Sequence, residues 1–238
     1  MTRVILFDKD GTLMDYQKVW TPYAKRSIEA FAREFDRHDI KDELAHRLGL
    51  IDGEIAPNSI LASGTGETIQ NYFERYQKGG GEWMKAFYEK NLDSLRDSME
   101  LIEGAGDVLH HLEGEGYKNV IVTSDSRLST EYFVHKFSLE DVVHDVVAGD
   151  DSEFHKPDIR ILDPLFHRYD YALREMVMIG DNRADTMLGY EYGLRTIGVL
   201  SGTSRREDME GADIIVDSVT EIIQDGRFIM PEGGRSDA

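Results

Sequence analysis

Asp8-Lys9-Asp10-Gly11-Thr12-Leu13 follows directly on the apolar run Val4-Ile5-Leu6-Phe7. Residues two apart in an extended chain point the same way, so Asp8 and Asp10 can face one ligand. Paired carboxylates suit a hard, oxygen-seeking cation such as Mg²⁺. They also suit a division of labour between a nucleophile and a general acid/base. Gly11 permits the tight backbone needed just beyond them. An Asp-Gly turn closing a strand would give the same letters without any chemistry. Three more constellations have the same double aspect. Val122-Thr123-Ser124-Asp125 offers a hydroxyl and a backbone N–H to an anion, or an ordinary strand-to-helix cap. His155-Lys156-Pro157-Asp158 sets a compact positive charge before a helix start, or a solvated lysine. His155 reads as a local hydrogen-bonding residue rather than a catalyst. Ile179-Gly180-Asp181-Asn182-Arg183-Ala184-Asp185 puts two carboxylates one helical turn apart. That spacing suits a metal ligand with a supporting carboxylate, or an acid-capped helix.

The elements that must position these groups alternate. Val4–Phe7 is a short apolar run with a turn after it, as a buried strand requires. Further strands are expected at 119–123, 145–148, 176–179, 195–199 and 213–216. Helical spacing lies between them at Val108/Leu109/Leu112, Tyr132/Phe133/Phe137 and Ile161/Leu162/Leu165/Phe166, the last opened by Pro157-Asp158. This alternation predicts an α/β fold, an open parallel Rossmann-like sheet. Residues 15–97 read as almost wholly helical, with helices expected at 20–35, 41–48, 67–76 and 82–95. The expected organisation is a core of residues 1–14 and 98–230, a helical cap of residues 15–97, and a flexible tail at 231–238. An insertion after a strand's carboxyl end sits over the crevice where such sheets bind ligands, as a lid would.

Each of the four motifs follows an expected strand, so all converge on one edge of one sheet. Their order is acidic pair, hydroxyl, lysine, acidic pair. In this order and these residue types the chain resembles the haloacid dehalogenase superfamily. The resemblance runs from Asp8 to Asp185 and includes the α/β core. The helical insertion between the first two motifs resembles the type-1 cap subclass and its phosphoglycolate phosphatase-like members. The resemblance implies a phosphatase in which Asp8 attacks phosphorus to form an aspartyl-phosphate. Asp10 would protonate the leaving oxygen and then activate water. Mg²⁺ would be held by Asp8, the Asp10 backbone carbonyl and Asp181. Thr123 and the Ser124 backbone would bind phosphate oxygens, Lys156 would balance charge on Asp8 and the phosphoryl group, and Asp185 would orient Lys156 or a metal-bound water. Asp10 and Thr12 together favour phosphate-ester hydrolysis over dehalogenation. Glu103, where many relatives carry proline, and Ser124-Asp125, in place of an asparagine-containing pair, leave the substrate open. A sugar phosphomutase of the same architecture, a catalytically silent phosphate- or metal-binding regulator, and a receiver-like domain are the competing readings.

Net charge is −19, from 27 basic and 46 acidic residues. Such a surface disfavours nucleic acid and anionic membranes, or simply confers solubility; it would also repel an anionic substrate at long range, so a small phosphorylated metabolite needs local positive charge from a metal ion and a lysine. There is no cysteine, which suits a reducing compartment. No apolar stretch approaches the roughly 20 residues needed to span a bilayer. A cytoplasmic protein is expected, with oligomeric state open. Within the insertion, Ala62-Ser63-Gly64-Thr65-Gly66 is polar and Gly-containing. Ser63 and Thr65 are candidates to touch the substrate's leaving group; a plain interhelical loop with a helix cap is the alternative. Trp20, Tyr23, Trp83 and Phe87 read as the core of the insertion.

Overall fold

The computed structural model describes residues 3–231, so seven of the eight residues of the expected tail lie outside the described residues. In chain order, β1 (Val4–Phe7) leads into α1 (Tyr16–Glu34), α2 (Lys41–Leu48), β2 (Leu50–Ile51), β3 (Glu54–Ile55), α3 (Ile60–Ser63), α4 (Gly66–Tyr76) and α5 (Gly80–Ser98). Then follow α6 (Ala105–Gly114), β4 (Lys118–Val122), α7 (Arg127–Lys136), β5 (Val143–Val147), α8 (Asp163–Arg168), β6 (Met176–Gly180), α9 (Arg183–Tyr192), β7 (Arg195–Val199), β8 (Ile214–Val216), β9 (Ile223–Gln224) and β10 (Arg227–Phe228).

Six strands form one parallel sheet in the order β5-β4-β1-β6-β7-β8. This is the expected α/β sheet. β1 is central, and the chain winds outward from it in both directions. Ligands of open α/β sheets bind at such a reversal, outside the strands' carboxyl ends. All four residues of β1 are fully buried, because the sheet is covered on both faces. Period two divides its side chains. Ile5 and Phe7 join Ile121, Val177, Ile179 and the helix residues Leu109, Leu112 and Phe133. Val4 and Leu6 join Val120, Met178 and, from α8 and α9, Leu165 and Leu188.

Three local features depart from expectation. The insertion is not wholly helical: β2 and β3 make a two-residue hairpin. Its turn, Asp52-Gly53, has φ of 52° and 85°, the doubly positive pattern that suits tight hairpins. Asp225-Gly226 repeats it at 50° and 70° between β9 and β10. The helix expected around Ile161 is split into a 3₁₀ turn, Ile159–Leu162, and α8. Pro164, in the first turn of α8, has no N–H with which to continue a preceding helix.

Within the insertion, α5 packs on α1 and α4. Phe31 meets Phe73 edge-on at 4.9 Å and Trp83 at 5.3 Å, and Trp83 stacks on Phe87 at 5.0 Å. The chain leaves and re-enters the core side by side. Asp15 N donates to Glu100 O and Ile102 N to Leu13 O, both at 2.9 Å, and Met14 bridges Leu101 in antiparallel fashion. Among the described residues, no helix is long and apolar enough to cross a membrane.

Candidate active site

The first three strand ends around the switch point each deliver one polar group. β1 delivers Asp8, whose backbone N donates to Ile179 O at 2.8 Å. β4 delivers Thr123, and β6 delivers Asp181. Lys156 reaches in from the loop after β5. Its Nζ donates to Asp8 Oδ1 at 2.7 Å, Asp185 Oδ1 at 2.6 Å and Val122 O at 2.9 Å. An ammonium has three hydrogens, and here all three have acceptors on different elements. The Lys156 side chain is 2% exposed, so its position is fixed by these bonds.

Asp185 sits in the first turn of α9, where its other oxygen accepts from Asn182 N at 3.2 Å. Asp181 accepts from Thr203 N at 3.0 Å and from Asn182 Nδ2 at 3.3 Å. The backbone closes tightly on it. A Cβ at Gly11, where φ is +88°, would lie 2.6 Å from the Asp181 carboxylate, and one at Gly202 would lie 1.8 Å from it. Carboxylate oxygens of Asp8, Asp181 and Asp185 lie within 4.8 Å of one another.

Three buried carboxylates around one lysine leave negative charge uncompensated. Burial pushes the Asp8 carboxyl up to about 6, with Lys156 opposing and Asp185 adding to the rise. Burial, then Asp8 and Asp185, hold Asp181 well above the usual carboxylate range. For Lys156, burial favours losing the proton, but Asp185 and Asp8 outweigh it and raise its pKa. Hard oxygen donors short of positive charge fit a divalent cation of the Mg²⁺ class.

Asp10 is held from both sides, by two groups whose part sequence reasoning missed. Lys9 Nζ lies 2.6 Å from Asp10 Oδ2 and 3.0 Å from Asp125 Oδ2, and its side chain is fully buried. Trp20 Nε1 donates to Asp10 Oδ1. Burial raises the Asp10 pKa; Lys9 opposes this, while Asp125 and Asp8 add to it. Trp20 packs with the aromatics of the insertion as expected, against Tyr16 and Tyr23. Its indole N–H also reaches the Asp10 carboxylate. The sequence signal was proximity alone: Trp20 lies ten residues after Asp10, at the start of α1.

Asp8, Asp10, Thr123, Ser124 and Lys156 line a cavity of about 740 Å³ beneath the helical insertion. Asp181 and Asp185 are buried behind them. Thr123 Oγ1 accepts from Asp125 N at 3.1 Å. Ser63 and Thr65 also line the cavity, yet both hydroxyls are engaged locally, and only that of Thr65 caps a helix. Ser63 Oγ donates to Ser59 O at 3.1 Å, and Thr65 Oγ1 accepts from Thr68 N at 3.2 Å at the start of α4. His155 lines the cavity too; its backbone carbonyl accepts locally from Asp158 N at 2.9 Å, while its buried Nδ1 has no hydrogen-bond partner.

The chain is similar to several known proteins. The chain is 21% identical over 225 residues to the phosphoglycolate phosphatase of Vibrio parahaemolyticus serotype O3:K6, covering 93% of this chain and 95% of the relative. It is 26% identical over 205 residues to the pyrophosphatase PpaX of Halalkalibacterium halodurans, covering 86% of each. The fold is similar to that of CbbY from Rhodobacter sphaeroides, solved in complex with phosphate, with a TM-score of 0.69 at 20% identity over 93% of this chain and 96% of that one. Residues 5–199, from the first strand to the end of β7, match the haloacid dehalogenase-like hydrolase family, and the chain belongs to it.

Proposed function

We propose that the protein is a Mg²⁺-dependent phosphatase of small phosphorylated metabolites that works through an aspartyl-phosphate on Asp8, with residues 15–97 acting as a cap over the site. The observation that carries this is the Lys156 ammonium shared between Asp8 and Asp185, beside Asp181, at the floor of the cavity. Asp8 would attack phosphorus while Lys156, bonded to Oδ1, fixes the carboxylate's direction. The P–O bond to the leaving group breaks as Asp10 gives that oxygen a proton. Asp10, again a base, then takes a proton from the water that attacks the phosphoryl group and frees Asp8. The Thr123 hydroxyl and the Ser124 backbone N–H would hold phosphoryl oxygens, and Asp185 holds Lys156. Asp8, Asp181 and the Asp10 backbone carbonyl would hold Mg²⁺, which when bound supplies positive charge to the transferring group. In-line phosphoryl transfer depends mainly on such positioning and charge neutralisation.

Phosphate release from a panel of phosphorylated metabolites, with Mg²⁺ and with EDTA, tests the reading. Release that requires the metal supports it. Transfer of phosphate between hydroxyls without net release would identify a mutase, and no turnover by folded protein would identify a binding protein.

Trp20 offers a finer check. A hydrogen bond to a charged group contributes about 1.5–3 kcal/mol, and about 1.4 kcal/mol is tenfold in rate. Trp20→Phe, which keeps the ring but loses the N–H, is expected to lower kcat about tenfold with KM within about threefold. Unchanged kcat would show that Lys9 alone positions Asp10.

Uncompensated carboxylates also predict a pH dependence for the metal-free protein. Folded Asp8 titrates at about 6, against an ordinary 3.8. Between these values the native state binds more protons than the unfolded chain, so this group's contribution to stability falls as pH rises through the window. A shift of this size corresponds to about 2–3 kcal/mol, or roughly 5–10 °C in a protein of this length. Metal-free Asp8→Asn is therefore expected to melt higher than wild type by that amount at pH 7, with the gap closing towards pH 4. Mg²⁺ at pH 7 should raise Tm of the wild type and not of the variant. An equal gap at both pH values would refute the account.

A further inference from the structure

The cavity lining away from the reaction centre carries more acidic than basic side chains. Beyond the reaction centre, its charged lining is Glu67 and Glu89 from the insertion, Asp150 and Glu153 from the core, and Lys85. Apart from Lys156, Lys85 is the only lysine or arginine lining it among the described residues. A carboxylate or second phosphate on an alcohol long enough to reach these acids would meet like charge. The first turn of α4 could attract an anion, but Glu67 already places a carboxylate there.

The rest of the lining mixes polar residues, among them Ser27, Gln70 and Ser126, with an apolar and aromatic stretch. Tyr16, Trp20 and Tyr23 supply that stretch from α1, and Met84 and Tyr88 from α5. Trp20 packs edge-on against Tyr23 at 5.9 Å. At the cavity's margin stands Leu128, 57% exposed, an apolar side chain with little to cover it in the free protein. A volume of about 740 Å³ lies in the upper part of the range that holds drug-sized ligands, roughly 300–1,000 Å³, and far exceeds a two-carbon phosphate.

Resting on the phosphatase reading, we propose that the substrate is a phosphate monoester whose alcohol portion is bulky, apolar or aromatic on one face, and carries no second acidic group. Binding would place the phosphoryl group at Asp8 and the alcohol's apolar face against the α1–α5 wall. Acidic groups at the far end would repel a second anion.

Matched esters separate charge from reactivity. Benzyl phosphate and 4-carboxybenzyl phosphate have nearly the same leaving-group basicity and differ by one carboxylate. With wild-type protein and Mg²⁺, kcat/KM for benzyl phosphate is expected to exceed that for 4-carboxybenzyl phosphate, and that for phosphoglycolate, at least tenfold. The double variant Glu67→Lys/Glu89→Lys, at two exposed positions, is expected to narrow the benzyl-to-carboxybenzyl ratio at least fivefold. Equal or faster turnover of the carboxylated ester or of phosphoglycolate would overturn the inference and leave the phosphatase reading standing. So would a ratio that charge reversal does not move. Release from no ester would overturn the phosphatase reading itself, and this inference with it.

Discussion

Asp8→Asn is expected to lower kcat for phosphate release by at least about 10⁴-fold. Removing a covalent nucleophile costs the enzyme its reaction path, and losses of about 10⁶ are known for nucleophiles acting with their partners. The substitution is close to isosteric. Its amide oxygen can still accept from Lys156, so the floor of the cavity keeps its shape while losing the attacking oxygen. Substrate should still bind, since Thr123, Ser124 and Lys156 are untouched. The variant's gain in metal-free stability at pH 7 provides an internal control that it is folded. Single-turnover assays at saturating substrate, compared with Asp10→Asn, would separate loss of attack from loss of proton transfer. Residual activity above about 1% of wild type would exclude Asp8 as the nucleophile.

The second large effect is on stability. Lys9→Met is expected to destabilise the protein by about 3–5 kcal/mol, the usual cost of removing one partner from a buried ion pair. That corresponds to roughly 10 °C in Tm for a chain of this size. The Lys9 side chain is fully buried between Asp10 and Asp125, which are 14% and 10% exposed. Methionine matches its length and packs as well against Phe133, whose ring centroid lies 5.6 Å from Nζ. The loss would therefore be electrostatic: two neighbouring carboxylates left without a counter-charge. Adding Asp125→Asn to Lys9→Met removes one of them and should restore more than half of the lost stability. Denaturant unfolding of the two variants measures both. A stable Lys9→Met protein would mean that the pairing with Lys9 contributes little to stability.

The difference between Lys156 and Lys9 shows what a sequence displays and what it conceals. Lys156 was legible because it falls in a series: four polar motifs, each after a strand, at one edge of a parallel sheet. The strands themselves were legible because β1 and β6 are buried on both faces and read as apolar runs, and β4 carries the shorter run Val120-Ile121-Val122. Lys9 belongs to no series. It lies between two acids on a turn, where a lysine is ordinarily solvated. Its burial follows from the tertiary approach of Asp125, more than a hundred residues away. The available signal was weak: a charged residue immediately after a fully buried strand, within a motif otherwise occupied by acids. The reach of Trp20 to Asp10 went unforeseen for a related reason. Helical spacing says which face of α1 is apolar, but not that its first turns overhang another domain's carboxylate. The two hairpins escaped notice because two-residue strands have no measurable period. Only Asp52-Gly53 and Asp225-Gly226 announce them.

The paired crossing of the chain at Asp15 and Glu100 has a consequence for how this protein can change over time. The two ends of the insertion meet at hydrogen-bonding distance, so a short turn could join them and leave β1 and β4 in register. An excursion that starts and finishes at one doorway can be lengthened, shortened or exchanged by recombination without re-threading the sheet. Residues 15–97 can thus vary as a unit while β1 and β4 stay paired, although Trp20, which bonds Asp10, travels with them.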